Sequence, residues 1–216
     1  MAADARERIL DAIRAALGPG ARPSEPHPLA FESAPASAPE RLESFRAELQ
    51  LLGGEASVVS DTSACARWIE TYLRGIGVRS VAVQSSPLAL EVANVLHGLQ
   101  IEPAAGRTAD ELERIDCGLL EAQALLADTG SVVLVLSTYA DRLLPYLPRT
   151  CVVVASVARL HGTLCAEALG AIDGAAAVQQ GGEAVIVTGP SRTADIEKTL
   201  VFGAHGPANL AVVILM

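Results

Sequence analysis

The first hydrophobic positions of the chain have the spacing of an α-helix. One apolar stripe is formed by Ile9, Leu10, Ile13 and Leu17. Gly18 and Pro19 end the pattern, and residues 19–39 then hold six of the twelve prolines. This stretch predicts an extended arm, which either links and wraps the domain or is disordered. The pattern therefore divides the chain into 1–40, a helix with a proline-rich arm, and 41–216, the main domain.

Beyond residue 40, helical and strand patterns alternate. Apolar runs of strand length occur seven times: "ASVVS", "VRSVAVQ", "LQIEP", "SVVLVLS", "CVVVAS", "EAVIVT" and "NLAVVIL". A helix carrying Leu42, Phe45, Leu49 and Leu52 precedes the first of them. The later helices are expected after Asp61, after Ser86, near 108–114, near 121–127, near Arg142, near 160–170 and near 193–201. This alternation predicts an α/β fold with a mostly parallel sheet covered on both faces.

Composition narrows the class of protein. Half of the 216 residues are hydrophobic, which allows a sizeable core, and the net charge of -9 argues against nucleic acid or an anionic membrane as the main partner. The start "MAADARERIL" lacks the apolar segment of a secretory signal. No apolar run reaches the roughly 18 residues that a membrane helix needs. We expect a cytoplasmic protein without a membrane span.

The cysteines argue against a bound cofactor. None of the four lies in a C-x-x-C pair: Cys65, Cys117, Cys151 and Cys165. Isolated cysteines in apolar surroundings are most often reduced core residues, so we expect no iron–sulfur cluster and no other metal site. Glycine-rich nucleotide loops and nucleophile-elbow motifs are also missing from the sequence, and we expect no cofactor.

The stretch "TGPSRTADIEK" follows an apolar strand pattern and carries a candidate binding site. Gly189 begins a turn, and Ser191, Arg192 and Thr193 then offer hydroxyls and a guanidinium to a small anion or carboxylate. The simpler explanation is a helix cap, with Ser191 or Thr193 as the capping residue and Arg192 paired to Asp195. An arginine is mildly unfavourable at the positive end of a helix unless an anion or a carboxylate lies nearby. Capping by Ser191 or Thr193 does not by itself account for Arg192.

A second stretch, "GAHGP", places His205 between two glycines. A histidine in such a loop can act as a general acid or base, or it can simply hydrogen-bond the loop. Gly206 beside it is a candidate ligand-binding position. In a simple parallel β-α-β unit this loop and the 189–193 turn would lie at opposite edges of the sheet. They would form one site only through an irregular connection or through a second subunit, so a homo-oligomer is possible.

A third stretch, "ADTGSVVL", supplies Thr129, Gly130 and Ser131 directly before a strand. Residues of these types form ordinary turns, and they can also form a cradle of hydroxyls and backbone amides around a ligand.

Four blocks resemble the LUD-domain family, and most closely its lactate-utilization members: "ADTGSVVL", "RLLPYLPRTCVVV", "TGPSRTADIE" and "GAHGP". Their order and spacing carry the resemblance, which is clearest over residues 116–216. Family members commonly have Thr-Gly-Thr where this chain has Thr129, Gly130 and Ser131, a change that keeps the hydroxyl. The resemblance implies a three-layer α/β/α fold similar to the NagB/RpiA/CoA-transferase group.

The resemblance also implies a function, the oxidation of L-lactate to pyruvate together with iron–sulfur-bearing partner proteins. In that system we expect this chain to be a non-redox subunit or an assembly factor without its own cluster. The alternative is a stand-alone enzyme that acts on a small carboxylate, phosphate or acyl thioester. A glutamate nucleophile would support the alternative, but Glu183, which follows "QQGG", has the setting of a turn residue.

Overall fold

The computed structural model describes residues 2–17, 37–164, 166–173, 182–193, 201–203 and 206–216. The chain forms two compact units, residues 1–30 and 31–216. The first unit contains helix α1, Ala2–Leu17, and the stripe residues Ile9 and Ile13 are exposed on it. All other described elements belong to the second unit.

The second unit alternates helices and strands. Its helices are α2 (Ala38–Leu51), α3 (Thr62–Gly75), α4 (Pro87–Ala93), α5 (Ala109–Glu113), α6 (Tyr139–Leu143) and α7 (Ala166–Asp173). Its strands are β1 (Glu55–Val59), β2 (Ser80–Val83), β3 (Gln100–Pro103), β4 (Cys117–Leu126), β5 (Ser131–Leu136), β6 (Thr150–Ser156), β7 (Leu160–His161), β8 (Glu183–Val187), β9 (Arg192–Thr193), β10 (Val201–Phe202) and β11 (Asn209–Leu215).

A parallel sheet in the order β1-β11-β6-β4-β2-β3 forms the centre of this unit. Beyond Glu121, strand β4 leaves its parallel partner β6 and pairs with antiparallel β5, which in turn pairs with antiparallel β8. The register shifts between Ala122 and Ala124, where β4 passes from one set of partners to the other. The sheet is therefore mostly parallel, with an antiparallel extension.

Alternating side chains of the central strands feed two separate cores. From β11, residues Leu210, Val212 and Ile214 pack in one core with Phe45 and Leu49 of α2. The side chains between them enter the other core with helices α3 and α4: Ala211, Val213 and Leu215. A two-residue period that buries both faces is the mark of a sheet covered by helices on each side. The predicted α/β fold with its mostly parallel sheet is confirmed.

One predicted helix is wrong, and a second lies mostly outside the described residues. Residues 121–127 were expected to be helical because Glu, Ala, Gln and Leu favour helices, yet they continue β4 to Leu126. Pairing with two neighbouring strands outweighs a propensity of a few tenths of a kcal/mol per residue. A helix was also expected near 193–201, but Arg192–Thr193 and Val201–Phe202 are short antiparallel strands, and residues 194–200 lie outside the described residues.

Other helix boundaries differ by a few residues from those that the sequence predicts. The helix expected near 160–170 begins at Ala166, after the short strand β7. Helix α4 starts as predicted, with Ser86 at the N-cap and Pro87 as its first residue, but it ends at Ala93 instead of Leu96. Asp61 caps α3 as expected, since its carboxylate accepts from the Ala64 N–H at 2.8 Å. Within the described residues, no helix is both long enough and apolar enough to cross a membrane.

Candidate functional site

The candidate site is built on the C-terminal end of helix α2. This helix starts in a capping box, in which the Ser37 N–H donates to the Glu40 carboxylate at 2.7 Å and the Ser37 hydroxyl accepts from the Glu40 N–H. It ends in a Schellman motif: Gly53, with φ of +85°, donates to the Gln50 carbonyl, and Gly54 donates to the Leu49 carbonyl, both at 2.9 Å. The left-handed φ of Gly53 lets the chain turn directly into strand β1.

The turn before strand β5 packs against the backbone of α2. Gly130 has φ of +62°, and a Cβ at this position would lie 2.4 Å from the backbone nitrogen of Leu49. Ser131 is buried, and its hydroxyl lies 2.8 Å from the Thr129 hydroxyl and 2.8 Å from the Thr188 hydroxyl. The Ser131 hydroxyl thus connects this turn to the end of strand β8.

The 189–193 turn reaches the same end of α2. Gly189 has φ of +86°, and a Cβ there would lie 2.8 Å from the Leu52 Cβ. The guanidinium of Arg192 lies over Gly53, where a Cβ would come within 2.8 Å of its Nη2 atom. The carbonyl end of a helix carries partial negative charge and favours a nearby cation. The carbonyl end of α2 is therefore a favourable place for the charge of Arg192, and the sequence pattern did not indicate this contact.

The 203–208 loop joins the 189–193 turn directly. The Ser191 N–H donates to the Pro207 carbonyl, and the Gly203 N–H donates to the Ser191 carbonyl, both at 2.9 Å. A Cβ on Gly206 would lie 3.3 Å from the Ser191 Cβ. Strands β9 and β10 pair antiparallel, so the chain turns back on itself and the two loops meet within one subunit. Of the two possibilities that the sequence left open, an irregular connection and a second subunit, the structure has the irregular connection.

The structure thus brings together most of the residues that the sequence singled out. Those that meet around the end of α2 and the adjoining loops are Thr129, Gly130, Ser131, Gly189, Ser191, Arg192 and Gly206. Thr193 lies on β9, paired with Val201. His205 and Asp195 lie outside the described residues. Whether the assembled turns bind a ligand stays a prediction.

Two neighbouring clefts contain residues that the sequence reasoning missed. A cleft of about 430 Å³ is lined by Glu113, Tyr146, Leu147, Arg149, Gly203, Gly206 and Ala208. A second, of about 310 Å³, shares Glu113 and Arg149 with the first and also contains Arg114, Asp116 and Asn209. The sequence feature that could have indicated these residues is the block "RLLPYLPRTCVVV", which includes both Tyr146 and Arg149. Sequence reasoning used this block only for its resemblance to the family.

The side chains of the first cleft have distinct electrostatic character. Burial raises the pKa of the Tyr146 phenol, and the charge of Glu183 raises it further. Its hydroxyl is therefore protonated at neutral pH and available as a donor. The exposed Arg149 side chain makes no hydrogen bond or ion pair within the described parts of the chain, whereas its backbone carbonyl accepts from the N–H groups of Ala208 and Asn209.

The cysteines among the described residues are core residues. Cys65, Cys117 and Cys151 are buried free thiols, and Cys165 lies outside the described residues. Burial raises the pKa of Cys65 and of Cys151 to about 12, and it also raises the pKa of Cys117. These three thiols are therefore protonated at neutral pH, which makes them poor metal ligands. Across the residues that the structure describes, no group of three or more His, Cys, Asp or Glu is placed to hold a metal ion.

Helices on both faces of a mostly parallel sheet, with glycine turns assembled at the end of one helix, define a three-layer α/β protein. The LUD domain model matches residues 42–215, and the chain belongs to the LUD-domain family. A crystal structure of a DUF162-family protein from Deinococcus radiodurans has the same fold, with a TM-score of 0.60 and 23% identity. That match covers 84% of this chain and 100% of the other.

Relatives of this chain include two proteins with a functional name. Lactate utilization protein C of Geobacillus kaustophilus is 30% identical over 118 residues, 52% of this chain and 48% of that protein. The protein of the same name in Geobacillus thermodenitrificans is 31% identical over 109 residues, which are 49% of this chain and 45% of that protein. The matches thus span about half the length of these relatives. An uncharacterized protein of Neisseria meningitidis serogroup B is 28% identical over 192 residues, 82% of this chain and 78% of that protein.

Proposed function

We propose that this protein acts in L-lactate utilization, as a non-redox subunit or assembly factor of a system that oxidises lactate to pyruvate. Its partners in this proposal are iron–sulfur-bearing proteins of the same system, in the cytoplasm. The observation that carries the proposal is the LUD domain over residues 42–215, together with two relatives named for lactate utilization at 30% and 31% identity. The relatives' name alone supplies the substrate.

The chemistry of the described cysteines supports the non-redox part of the proposal. A cluster needs several thiolates that face one another at the surface of a cavity. Cys65 belongs to helix α3, Cys117 starts strand β4 and Cys151 is the second residue of strand β6. Burial raises the pKa of all three thiols. Such residues favour a role in packing.

The experiment that tests the role is growth on L-lactate as sole carbon source after deletion of the gene from its host. We expect growth on lactate to fail, growth on pyruvate to persist, and a plasmid copy of the wild-type gene to restore growth on lactate. Unimpaired growth of the deletion strain on lactate would remove the chain from this system. Failure on both carbon sources would indicate a more general defect and would also contradict the proposal.

A second experiment separates a subunit from a stand-alone enzyme. The purified chain alone should be colourless and should not reduce a redox dye in the presence of lactate, because the proposal places the redox centres on its partners. Adding the iron–sulfur-bearing proteins should produce dye reduction that depends on this chain. Lactate-dependent dye reduction by the isolated chain would instead support the alternative enzyme.

In this proposal, the assembled turns form the ligand-binding or partner-binding surface of the protein. The residues concerned are those that the sequence singled out: Thr129, Gly130, Ser131, Gly189, Ser191, Arg192, Thr193 and Gly206, with His205 as a candidate acid or base. Hydrogen bonds from Ser131 and Ser191 fix the relative position of the three turns, which supports a surface with a set shape.

A further inference from the structure

The clefts beside the 203–208 loop are separate from the contact between Arg192 and helix α2. Arg149 lines both clefts, together with Glu113. Among the described residues that line the first cleft, Arg149 is the only one with a positive charge, and Tyr146 lines the same space. We propose that this cleft binds a small monocarboxylate, with Arg149 as its counter-charge and Tyr146 as a hydrogen-bond donor.

The availability of the Arg149 side chain is the first argument for the site. A guanidinium typically pairs with a carboxylate through two parallel hydrogen bonds. The Arg149 side chain is exposed and has no such partner among the residues that the structure describes. A carboxylate in the cleft would supply one.

The rigidity of the cleft wall is the second argument. The backbone carbonyl of Arg149 accepts from the Ala208 N–H at 2.9 Å and from the Asn209 N–H at 3.2 Å. Gly203, with φ of +73°, packs so closely on Ala208 that a Cβ would lie 2.9 Å from the Ala208 Cβ. The backbone of Arg149 is therefore bonded to residues 208 and 209, and Ala208 lines the same cleft. A wall held by backbone hydrogen bonds needs less ordering when a ligand binds, which lowers the cost of binding.

The charge of the ligand follows from Glu113. This residue lines both clefts together with Arg149. A second carboxylate, that of Glu183, acts electrostatically on Tyr146, so two negative charges and one arginine lie near the first cleft. A dianion meets more repulsion from this net negative charge than a monoanion, and it also costs more to remove from water. The cleft therefore favours a singly charged carboxylate over a phosphate dianion. This inference depends on the cleft alone and holds whether or not the chain acts in lactate utilization.

The test is a calorimetric or NMR titration of the full-length protein with acetate, L-lactate, pyruvate and inorganic phosphate. At least one of the three carboxylates should bind at a single site and more tightly than phosphate at neutral pH. Arg149→Gln should weaken that binding about 10- to 100-fold, the range expected for a charged hydrogen-bonding partner. Arg149→Lys should retain part of it, because the charge remains without the planar fork. Tyr146→Phe should weaken it several-fold, about the effect of one neutral hydrogen bond.

Two further variants make the result specific. Arg159→Gln removes an exposed arginine outside both clefts and should bind like the wild type. Glu113→Gln should improve phosphate binding relative to carboxylate binding, because it removes one repulsive charge. Each variant is first compared with the wild type by melting temperature, and Arg149→Gln leaves the backbone hydrogen bonds of residue 149 in place. The proposal is wrong if no carboxylate binds, if phosphate binds more tightly, if Arg149→Gln binds like the wild type, or if Glu113→Gln leaves the ratio unchanged.

Discussion

The guanidinium of Arg192 lies over the backbone of Gly53, so close that a Cβ on Gly53 would come within 2.8 Å of the Arg192 Nη2 atom. The two residues are far apart in the chain, one at the carbonyl end of helix α2 and the other on strand β9. The glycine gives room for the arginine, and the helix end favours its charge. This contact links a turn singled out by the sequence to a helix that the sequence had not associated with it.

Replacing Arg192 with alanine should lower the free energy of unfolding by about 0.3–1 kcal/mol, the usual contribution of a cation at the carbonyl end of a helix. Urea unfolding of the purified variants measures the change. Arg192→Lys should lose less, because it keeps the charge. Arg46→Ala, at an exposed position inside α2, should change stability by less than about 0.5 kcal/mol. Equal stability of Arg192→Ala and the wild type would contradict the assigned contact.

The same Arg192 variants test the predicted anion site in the turn. If the turn binds phosphate, sulfate or lactate through Arg192, Arg192→Ala should weaken that binding by about tenfold or more. Calorimetry with these three anions gives the answer. Identical binding by the wild type and Arg192→Ala would limit Arg192 to its contact with α2.

Gly130→Ala should be among the most damaging single substitutions in the chain. The new Cβ would lie 2.4 Å from the Leu49 backbone nitrogen, and the residue has φ of +62°. Left-handed backbone costs about 1–2 kcal/mol for a residue with a Cβ, and overpacking adds about 1–3 kcal/mol, so a loss of about 2–5 kcal/mol is expected by chemical denaturation. Gly75→Ala is the matched control, because nothing lies within 4 Å of its Cβ position. A loss of stability for Gly130→Ala no larger than that of the control would contradict the packing of this turn.

The hydroxyls of Ser131 and Thr188 should be energetically coupled, since they lie 2.8 Å apart. Ser131→Ala should cost about 0.5–1.5 kcal/mol, the usual net contribution of a hydrogen bond, because the exposed Thr129 and Thr188 hydroxyls can then bond to water. A double-mutant cycle with Thr188→Ala should give a coupling energy of at least about 0.5 kcal/mol. Strictly additive losses would show that the two turns are not joined through these hydroxyls.

Stability at acid pH should depend on Asp116. Burial acts to raise the pKa of its carboxyl group, but bonds from the Arg79 N–H, the Ser80 N–H and the Ser80 hydroxyl, at 2.9, 3.0 and 2.9 Å, outweigh burial and lower it. A group with a lowered pKa in the folded state stabilises the protein above its unfolded pKa, about 3.9 for Asp. That contribution is lost as the pH falls through the folded-state pKa.

The Asp116→Asn variant therefore should be less stable than the wild type at neutral pH, and the difference should narrow as the pH falls below about 4. Unfolding free energies measured over this range give the comparison. Glu43→Gln, at an exposed position on α2, should leave the shape of the pH profile unchanged. A difference between Asp116→Asn and the wild type that is constant with pH would contradict the role of the carboxylate.

Much of this architecture was present in local sequence patterns. The Asp61 cap indicates where α3 begins, and the apolar run indicates β11, without any knowledge of the tertiary structure. Both patterns are local, because capping and side-chain period act over a few residues. The order of the motifs was enough to identify the LUD-domain family, which the match over residues 42–215 confirms. Alternation of strand and helix patterns was likewise enough for a mostly parallel sheet.

Contacts between distant residues decided the rest. "EAQALLA" favours a helix by propensity, but β5 and β6 pair with it and make it strand β4. Antiparallel pairing of Arg192 with Phe202 brings together two loops that a regular crossover would separate. Tyr146 and Arg149 lie in the block "RLLPYLPRTCVVV", but only the tertiary structure places this block beside Gly203, Gly206 and Ala208 in one cleft. The sequence by itself determined most of the elements and the family, because both are encoded in local period and motif order. The tertiary structure decided which turns meet and which side chains line a cavity, because those depend on partners far along the chain.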